Sequence, residues 1–550
     1  MARTEELVLS DFTGGLNLRA GEFYLAEGES PEMVNVFLDS RGGFRQRRGV
    51  SRWNVAADVG LPADWDPRNM HVTNDTALGA DVFVANDDTV YHATYVGETF
   101  TDLAITSTAD PHLADFAAWG DVTYIASGRA NSSHSFDGSK TALTDPTAGG
   151  GAGFNDDETV AVGGHMPKAE LVEEHNGRLF VGNIAEDGVD KPNRIRWSHP
   201  LKPEDWRTDD YWDIDVGGGR ITALVSQGDR LLIFKTSSVY ALYGSSLDDF
   251  ELQLVSKSLS CPHAAAVDSS ESSVVFFSRT GRRSAVFAMS PDSVELLSKP
   301  IELALDEIQN TDYVFVDYVD RFLHVSVPWT PESSGASNDA SLFVHNNEVG
   351  EGGSWTRQVP ADGSFRMSVE PAGGDVLTVV TDVDSETPVV AISALDGAID
   401  ILDGVGTEQR FVSSYSTGWV DAGWPTRNKH WLRPKYLVRE PDAGATEMRL
   451  DVYWNFKSSE IRRSFLLEVS QAGELFWRAG GSSDPGGFDW GDGSVWSSAG
   501  EGHEVDRVIT SLGVAQSVRL VFSSPENGTL VGRWLVDAIF LKYAYRRLTT

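Results

Sequence analysis

Apolar residues along this chain fall in short runs that alternate with polar ones, as in "DVFVAN", "DVTYIAS", "GRLFVGN", "DRLLIFK", "SSVVFFS" and "RFLHVSV". A period of two is the signature of β-strands with one buried face. The runs are separated by "ANDDT", "SFDGSK", "EHNG", "SQGD" and "SRTG", whose Asn, Asp and Gly supply the positive φ of tight hairpins. Antiparallel meanders follow. Helical periodicity is confined to "SKPIELALDEIQ", residues 298–309, where Ile301, Leu305 and Ile308 can share one face.

Strand-turn-strand pairs recur near residues 81–95, 118–137, 172–182, 220–242, 273–288, 322–345 and 376–402, at intervals of roughly 40 to 60 residues, the range of β-propeller blades. A ring of such blades removes the open sheet edges that a long all-β chain must otherwise protect. An irregular stack of sheets is the alternative. From about residue 406 the strands lengthen, as in "EMRLDVYWNF", "SVRLVFSS" and "GRWLVDAIFLKYAYRR", and a Gly/Ser/Asp-rich loop spans 479–502. Longer alternating strands suit a two-layer β-sandwich. The expected fold is therefore all-β: an N-terminal extended arm (1–55), a β-propeller (56–405) and a C-terminal β-sandwich (406–550).

Charge narrows the functional classes. With 81 acidic against 45 basic residues the 550-residue chain carries a formal charge of −36, which disfavours unassisted binding to nucleic acid or to anionic membranes. Only 11 of the basic residues are Lys, a bias shared by proteins of halophiles and of GC-rich genomes. A single cysteine, Cys261, excludes an internal disulfide framework and reads as a buried structural thiol. The N-terminus "MARTEELVLSDFTGG" lacks the features of a signal peptide, and no 18-residue apolar stretch occurs. Neither secretion nor a membrane segment is expected.

The usual catalytic and metal-binding motifs are absent from the sequence. "DWGDGS" at 489–494 departs from a calcium loop at its third position, Gly491. No enzyme, cofactor or metal is expected. The 16 Trp, 14 Tyr and 26 Phe exceed simple core filling and suggest interfaces. Trp197, Trp206, Trp212, Trp419, Trp424 and Trp431 are candidates, although core packing is the commoner fate of each; Trp424, Trp490 and Trp496 are the surface-binding candidates.

Against the acidic background, "NVFLDSRGGFRQRRGVSRW" (35–53) packs five arginines. Residues 11–50, "DFTGGLNLRAGEFYLAEGESPEMVNVFLDSRGGFRQRRGV", resemble the N-terminal signature of nozzle and hub proteins of tailed viruses: Gly14 and Gly15, then Glu29 and Ser30, Asn35, Gly43, and Arg45, Arg47 and Arg48. "ELVEEHNGRLFVGN", "NRIRWSHPLKPEDW", "ITALVSQGDRLLIFKTSSVYALYG" and "SRTGRR" also resemble that family's propeller, and "GWPTRNKHWLRPKY" its sandwich. The chain is shorter than the nozzles of short-tailed coliphages, which leaves its place along a tail open.

The resemblance implies a non-enzymatic virion protein of the tail. It would be a nozzle, hub or baseplate ring subunit that forms part of the distal channel and anchors other components. Its partners would be further copies of itself, neighbouring tube, adaptor, fibre or baseplate proteins and the host surface, with the genome only in transit. The implied subunit-interface residues are Asn35, Arg41, Gly43, Arg45, Arg47, Arg48 and Arg52, the arginines pairing with carboxylates of adjoining acidic subunits. The alternative is a receptor- or carbohydrate-binding adhesin of the tail tip.

Overall fold

The computed structural model describes residues 4–545 except 54–65, 74–79, 87–88, 106–113, 152, 158–159, 161, 215–218, 247–248, 271, 309, 320, 329–339, 351, 362, 372–375, 382–388, 396–398, 403–408, 433, 440–445, 470–475, 479–502, 506–511 and 526–532. It is nearly all β. The chain divides into two compact units. One comprises Arg52–Leu342 with Gly363–Ile392, the other Met1–Ser51, Phe343–Asp362 and Ser393–Thr550.

The first unit is a β-propeller. Five consecutive four-stranded antiparallel blades have as their inner strands Pro67–Thr73, Asp115–Trp119, Lys168–His175, Ile221–Gln227 and Val267–Ser269. A sixth blade begins at Ser364–Val369. Between the fifth and sixth, the hairpin Phe315–Val319 and Phe322–Pro328 fills a further position in the ring. Every inner strand packs beside the next, and the last packs beside the first. The residues that lead into the first blade help to close the circle: Trp53 N donates to Val390 O of the last blade at 2.8 Å.

The seven strand pairs expected from sequence each fall in a different position of this ring. Their middle strands, however, are buried on both faces. In Arg178–Glu186, Leu179 and Val181 join a cluster with Tyr124 and Ala126 of the preceding blade, while Phe180 joins one with Leu224 and Ile233 of the following blade. A middle strand faces a neighbour on either side, so runs such as "LLIF" read as continuously apolar. At "EHNG", Asn176 and Gly177 both take positive φ, 50° and 70°, the demand of a two-residue type I′ turn. The expected helical piece is a short 3₁₀ turn, Lys299–Ile301, followed by Glu302–Asp306. Ile301, Leu305 and Ile308 are buried.

The second unit is a β-sandwich that contains the N-terminal segment. In one sheet Thr4–Leu9 pairs antiparallel with the C-terminal strand Leu535–Tyr545, from Thr4 opposite Ala544 to Leu9 opposite Ile539. Phe44–Gln46 pairs with the same strand further along. In the other sheet, Met33–Val34 lies between Ser354–Gln358 and Ser414–Ser416, followed by Val518–Ser523, Thr446–Trp454, Arg463–Val469 and Phe476–Arg478. Phe44 is central in the core: it stacks on Tyr415 at 3.9 Å between ring centroids and meets Phe12, Phe522 and Trp534 edge-on. The N-terminal extended arm thus supplies a strand edge, an inserted strand and two core aromatics to this unit.

Candidate functional site

The arginine-rich segment separates into buried and exposed positions. Asn35 sits at a positive φ of 54° and is almost fully buried. Its backbone N–H donates to Arg357 O, and its side-chain amide donates to Val412 O. Its Oδ1 accepts from Val359 N and from Arg47 Nε at 2.8 and 3.0 Å. Arg47, 2% exposed, faces Asp400, 0% exposed, through both terminal nitrogens at 2.9 and 2.5 Å. It also donates to the carbonyls of Arg48 and Val359 and lies 3.5 Å above the Phe411 ring. Asp400 further accepts the backbone N–H groups of Val50 and Ala361. The rigid guanidinium fork matches the carboxylate, and the backbone donors satisfy its remaining lone pairs, as a buried ion pair requires.

This arrangement is a latch within one chain, joining residues 35–50 to 357–361 and 400–412. Asn35 and Arg47, expected at a subunit interface, are buried inside the sandwich unit and do not reach its surface. Gly43 is also buried; a Cβ there would stand 3.0 Å from Val536 O, so a larger residue fits only if the neighbouring strand gives by a few tenths of an ångström. Arg41, Arg45 and Arg48 are exposed, and Arg52 is half-buried at the start of the propeller unit. Residues i and i+2 on a strand line the same face, but strand Phe44–Gln46 ends before Arg47, so exposed Arg45 and buried Arg47 do not follow simple alternation.

Of the aromatic candidates, Trp197, Trp206 and Trp431 are core residues. Trp424 is 50% exposed. Its turn is held by the Lys429 ammonium, which donates to the carbonyls of Trp424, Arg427 and Gln516, and the Arg427 guanidinium lies 4.6 Å above its ring. Trp490 and Trp496 lie outside the described residues, as does "DWGDGS". Trp419 packs with Phe23 and Phe456, and Phe23 and its neighbour Tyr24 are exposed.

In the propeller a second set of polar residues occupies the inner strands, each reaching to the next ring position. Asn69 Nδ2 donates to Ala114 O at 3.0 Å, and Asp115 accepts Val172 N at 2.9 Å. Glu173 accepts Ser226 N at 3.0 Å, and Gln227 Nε2 donates to Met289 O at 3.0 Å. Asp268 accepts Tyr318 N at 2.7 Å, and Asp317 accepts Ser368 N at 2.9 Å. Arg366 returns to Asp66 beside the first blade at 2.6 Å, where Asp66 also takes Arg68 and the Tyr313 hydroxyl. Burial pushes the carboxyls of Asp115, Glu173 and Asp268 up to about 7, 8 and 6, against the pull of the backbone donors. Asp317 is raised well above the usual range for the same reason. Sequence reasoning missed both these residues and Asp400. The legible signal was an acid or amide inside an apolar strand, as in "AIDIL", recurring at the blade interval.

Cys261 is the buried thiol expected. Its Sγ donates to His263 O at 3.1 Å, and burial raises its pKa. Among the described residues no group of three or more His, Cys, Asp or Glu could hold a metal ion, and no helix is long and apolar enough to cross a membrane.

Fold and geometry together define an all-β protein of propeller and sandwich units with a self-latched N-terminal segment. No family model and no curated protein matches the chain. Among solved structures it is similar to Trypanosoma rangeli sialidase in complex with 2,3-difluorosialic acid: 11% identity, TM-score 0.30, 94% of this chain and 95% of that one covered. It is also similar to the N-terminal domain of Nup159, at 11% identity and a TM-score of 0.30 over 69% of this chain and 87% of that one. A third is the extracellular domain of a hybrid two component system from B. thetaiotaomicron, at 7% identity and a TM-score of 0.36 over 79% of this chain. The chain spans about half the length of that last protein, 48%. Likeness at this level says nothing of activity.

Proposed function

We propose that this chain is a non-enzymatic structural subunit of a viral tail, a nozzle, hub or baseplate ring component that lines part of the distal channel and anchors other tail proteins. The observation that carries the reading is the exposure of Arg41, Arg45 and Arg48 on a segment pinned by the Asn35–Arg47–Asp400 latch. A chain of net charge −36 thereby presents a local basic edge on an ordered backbone. Such an edge complements the acidic surface of a second copy, and a head-to-tail contact of this kind closes into a ring when its rotation permits. The resemblance of residues 11–50 to nozzle and hub proteins points the same way.

Deleting residues 1–55 would remove Phe12 and Phe44 from the sandwich core, so the test uses surface substitutions. Light scattering at low and high salt is compared for the wild type and for Arg41→Ala/Arg45→Ala/Arg48→Ala. Salt-sensitive rings that become monomers in the triple variant support the proposal. Rings of unchanged mass in that variant would remove the arginines from assembly, and a monomeric wild type in every condition would count against self-assembly.

The exposed Trp424 favours a second reading, an adhesin of the tail tip that binds a receptor or carbohydrate. Particles carrying Trp424→Ala that assemble but fail to adsorb would favour it.

A further inference from the structure

Loops from four parts of the sandwich unit meet in a group of aromatic rings that water reaches. Phe23 stacks nearly parallel to Trp419, 6.4 Å between ring centroids, and lies 5.3 Å from Phe456, which is itself 5.3 Å from Trp419. Phe23 is 58% exposed and its neighbour Tyr24 85%. Gln516 ties in the fourth loop: its N–H donates to Asn455 Oδ1, and its carbonyl accepts from the Lys429 ammonium that also holds the turn of exposed Trp424.

Phe456 is out of place by local rules. The turn from Trp454 to Lys457 is closed by Lys457 N donating to Trp454 O at 3.1 Å, and its central residues Asn455 and Phe456 take φ of 54° and 60°. Two positive φ values in succession are the mark of a type I′ turn, whose second central position usually holds glycine. A bulky side chain there is strained, and such strain clusters at binding sites. Its effect here is to set one more ring against Phe23 and Trp419.

We propose that this aromatic platform binds an uncharged saccharide, a stretch of neutral polysaccharide whose C–H faces lie on the rings. This deepens the adhesin reading and rests on it for its biological purpose. Area, charge and the polar rim select the occupant. At about 200 Å² for a whole aromatic side chain, Phe23, Tyr24 and Trp424 present roughly 400 Å², half of the about 800 Å² per partner that a stable protein interface buries. Charges on these loops nearly cancel: Glu22 accepts from Arg519 and from Trp419 Nε1, and Asp421 is matched by Arg427 and Lys457. A chain of −36 repels an acidic glycan or a second copy, and this patch has no surplus of cations to overcome that. A lipid or an apolar peptide would desolvate Glu22, Asn455, Lys457 and Gln516 without replacing their hydrogen bonds to water. Sugar hydroxyls both donate and accept, so they can meet the carboxylate, the amides and the ammonium alike.

The experiment titrates the purified full chain with cellohexaose, maltohexaose, mannohexaose and chitohexaose, and with hexagalacturonate as the acidic control, followed by tryptophan fluorescence and calorimetry. At least one neutral hexamer should bind and shift the emission, and hexagalacturonate should not. Phe23→Ala, at an exposed position, should weaken binding by about tenfold, the scale of one lost aromatic stack. Phe456→Gly should weaken it similarly while its melting midpoint holds or rises, because glycine accepts positive φ without strain. Binding of none of the neutral hexamers overturns the proposal, and so does binding that Phe23→Ala leaves unchanged. A Phe456→Gly variant that melts lower yet binds like the wild type also overturns it, since the ring would then be structural. A dimer that Phe23→Ala dissolves would give the platform to a second copy instead. Particle adsorption is read separately: a hexamer-binding chain whose Phe23→Ala particles adsorb normally keeps the saccharide site and removes the adhesin role.

Discussion

Replacing Arg47 by Ala tests whether the arginine cluster is in part an internal latch. The substitution deletes the two hydrogen bonds to Asp400, the bond to Asn35 Oδ1, the donations to the Arg48 and Val359 carbonyls and the stacking on Phe411. Asp400 would keep its two backbone donors but remain fully buried without a cation. Breaking a buried pair by removing one partner costs about 3–5 kcal/mol, which raises the unfolding constant by two to three and a half orders of magnitude. Arg41→Ala, at an exposed position in the same segment, should change stability by about 0.5 kcal/mol or less. Urea unfolding read by tryptophan fluorescence compares the two: the midpoint of Arg47→Ala should drop sharply at an unchanged slope. The double variant Arg47→Met/Asp400→Asn should recover part of the loss, because a neutral amide needs no compensating cation and its oxygen can still accept a backbone N–H. Arg47→Ala with the midpoint of Arg41→Ala would refute the latch.

Three further outcomes are expected. Asp66→Ala should lower the stability of the propeller by about 2–4 kcal/mol, because it removes the carboxylate that the nearly buried Arg68 and Arg366 share; limited proteolysis should then cut the chain earlier than in the wild type. The Cys261 thiol, buried and raised in pKa, should resist a thiol reagent in the native protein and react at once in denaturant; native reaction at the denatured rate would contradict its burial. Below pH 6.5, the half-buried His71 and the buried His324, lowered to about 4 by desolvation, should each cost up to about 1.4 kcal/mol per pH unit as the unfolded chain takes up protons that the folded chain refuses. His324→Gln should reduce the acid slope of the melting midpoint, and an unchanged slope would remove this histidine from the account.

The ring was legible in the sequence because each strand pair and its turn are local. "EHNG" fixes a type I′ turn by its own dihedral needs, and runs such as "LLIF" already declare strands buried on both faces, although alternation alone suggested one. The short helical piece at 298–309 and the buried thiol were local signals too. The tertiary structure was needed to place residues 1–51, since polar stretches between short apolar runs suit a free arm as well as inserted strands. Only the pairing of Thr4–Leu9 with residues more than five hundred positions away distinguishes the two. Arg47 is the sharpest example. Its sequence neighbours Arg45 and Arg48 are exposed, and nothing local separates it from them; Asp400, 353 residues away, makes it a buried latch. Carboxyls such as Glu173 likewise read as surface acids until the adjacent blade supplies a backbone donor and half-buries them. Local dihedral and hydropathy preferences determined the elements, whereas desolvation and pairing across hundreds of residues decided which charges are structural and which face solvent.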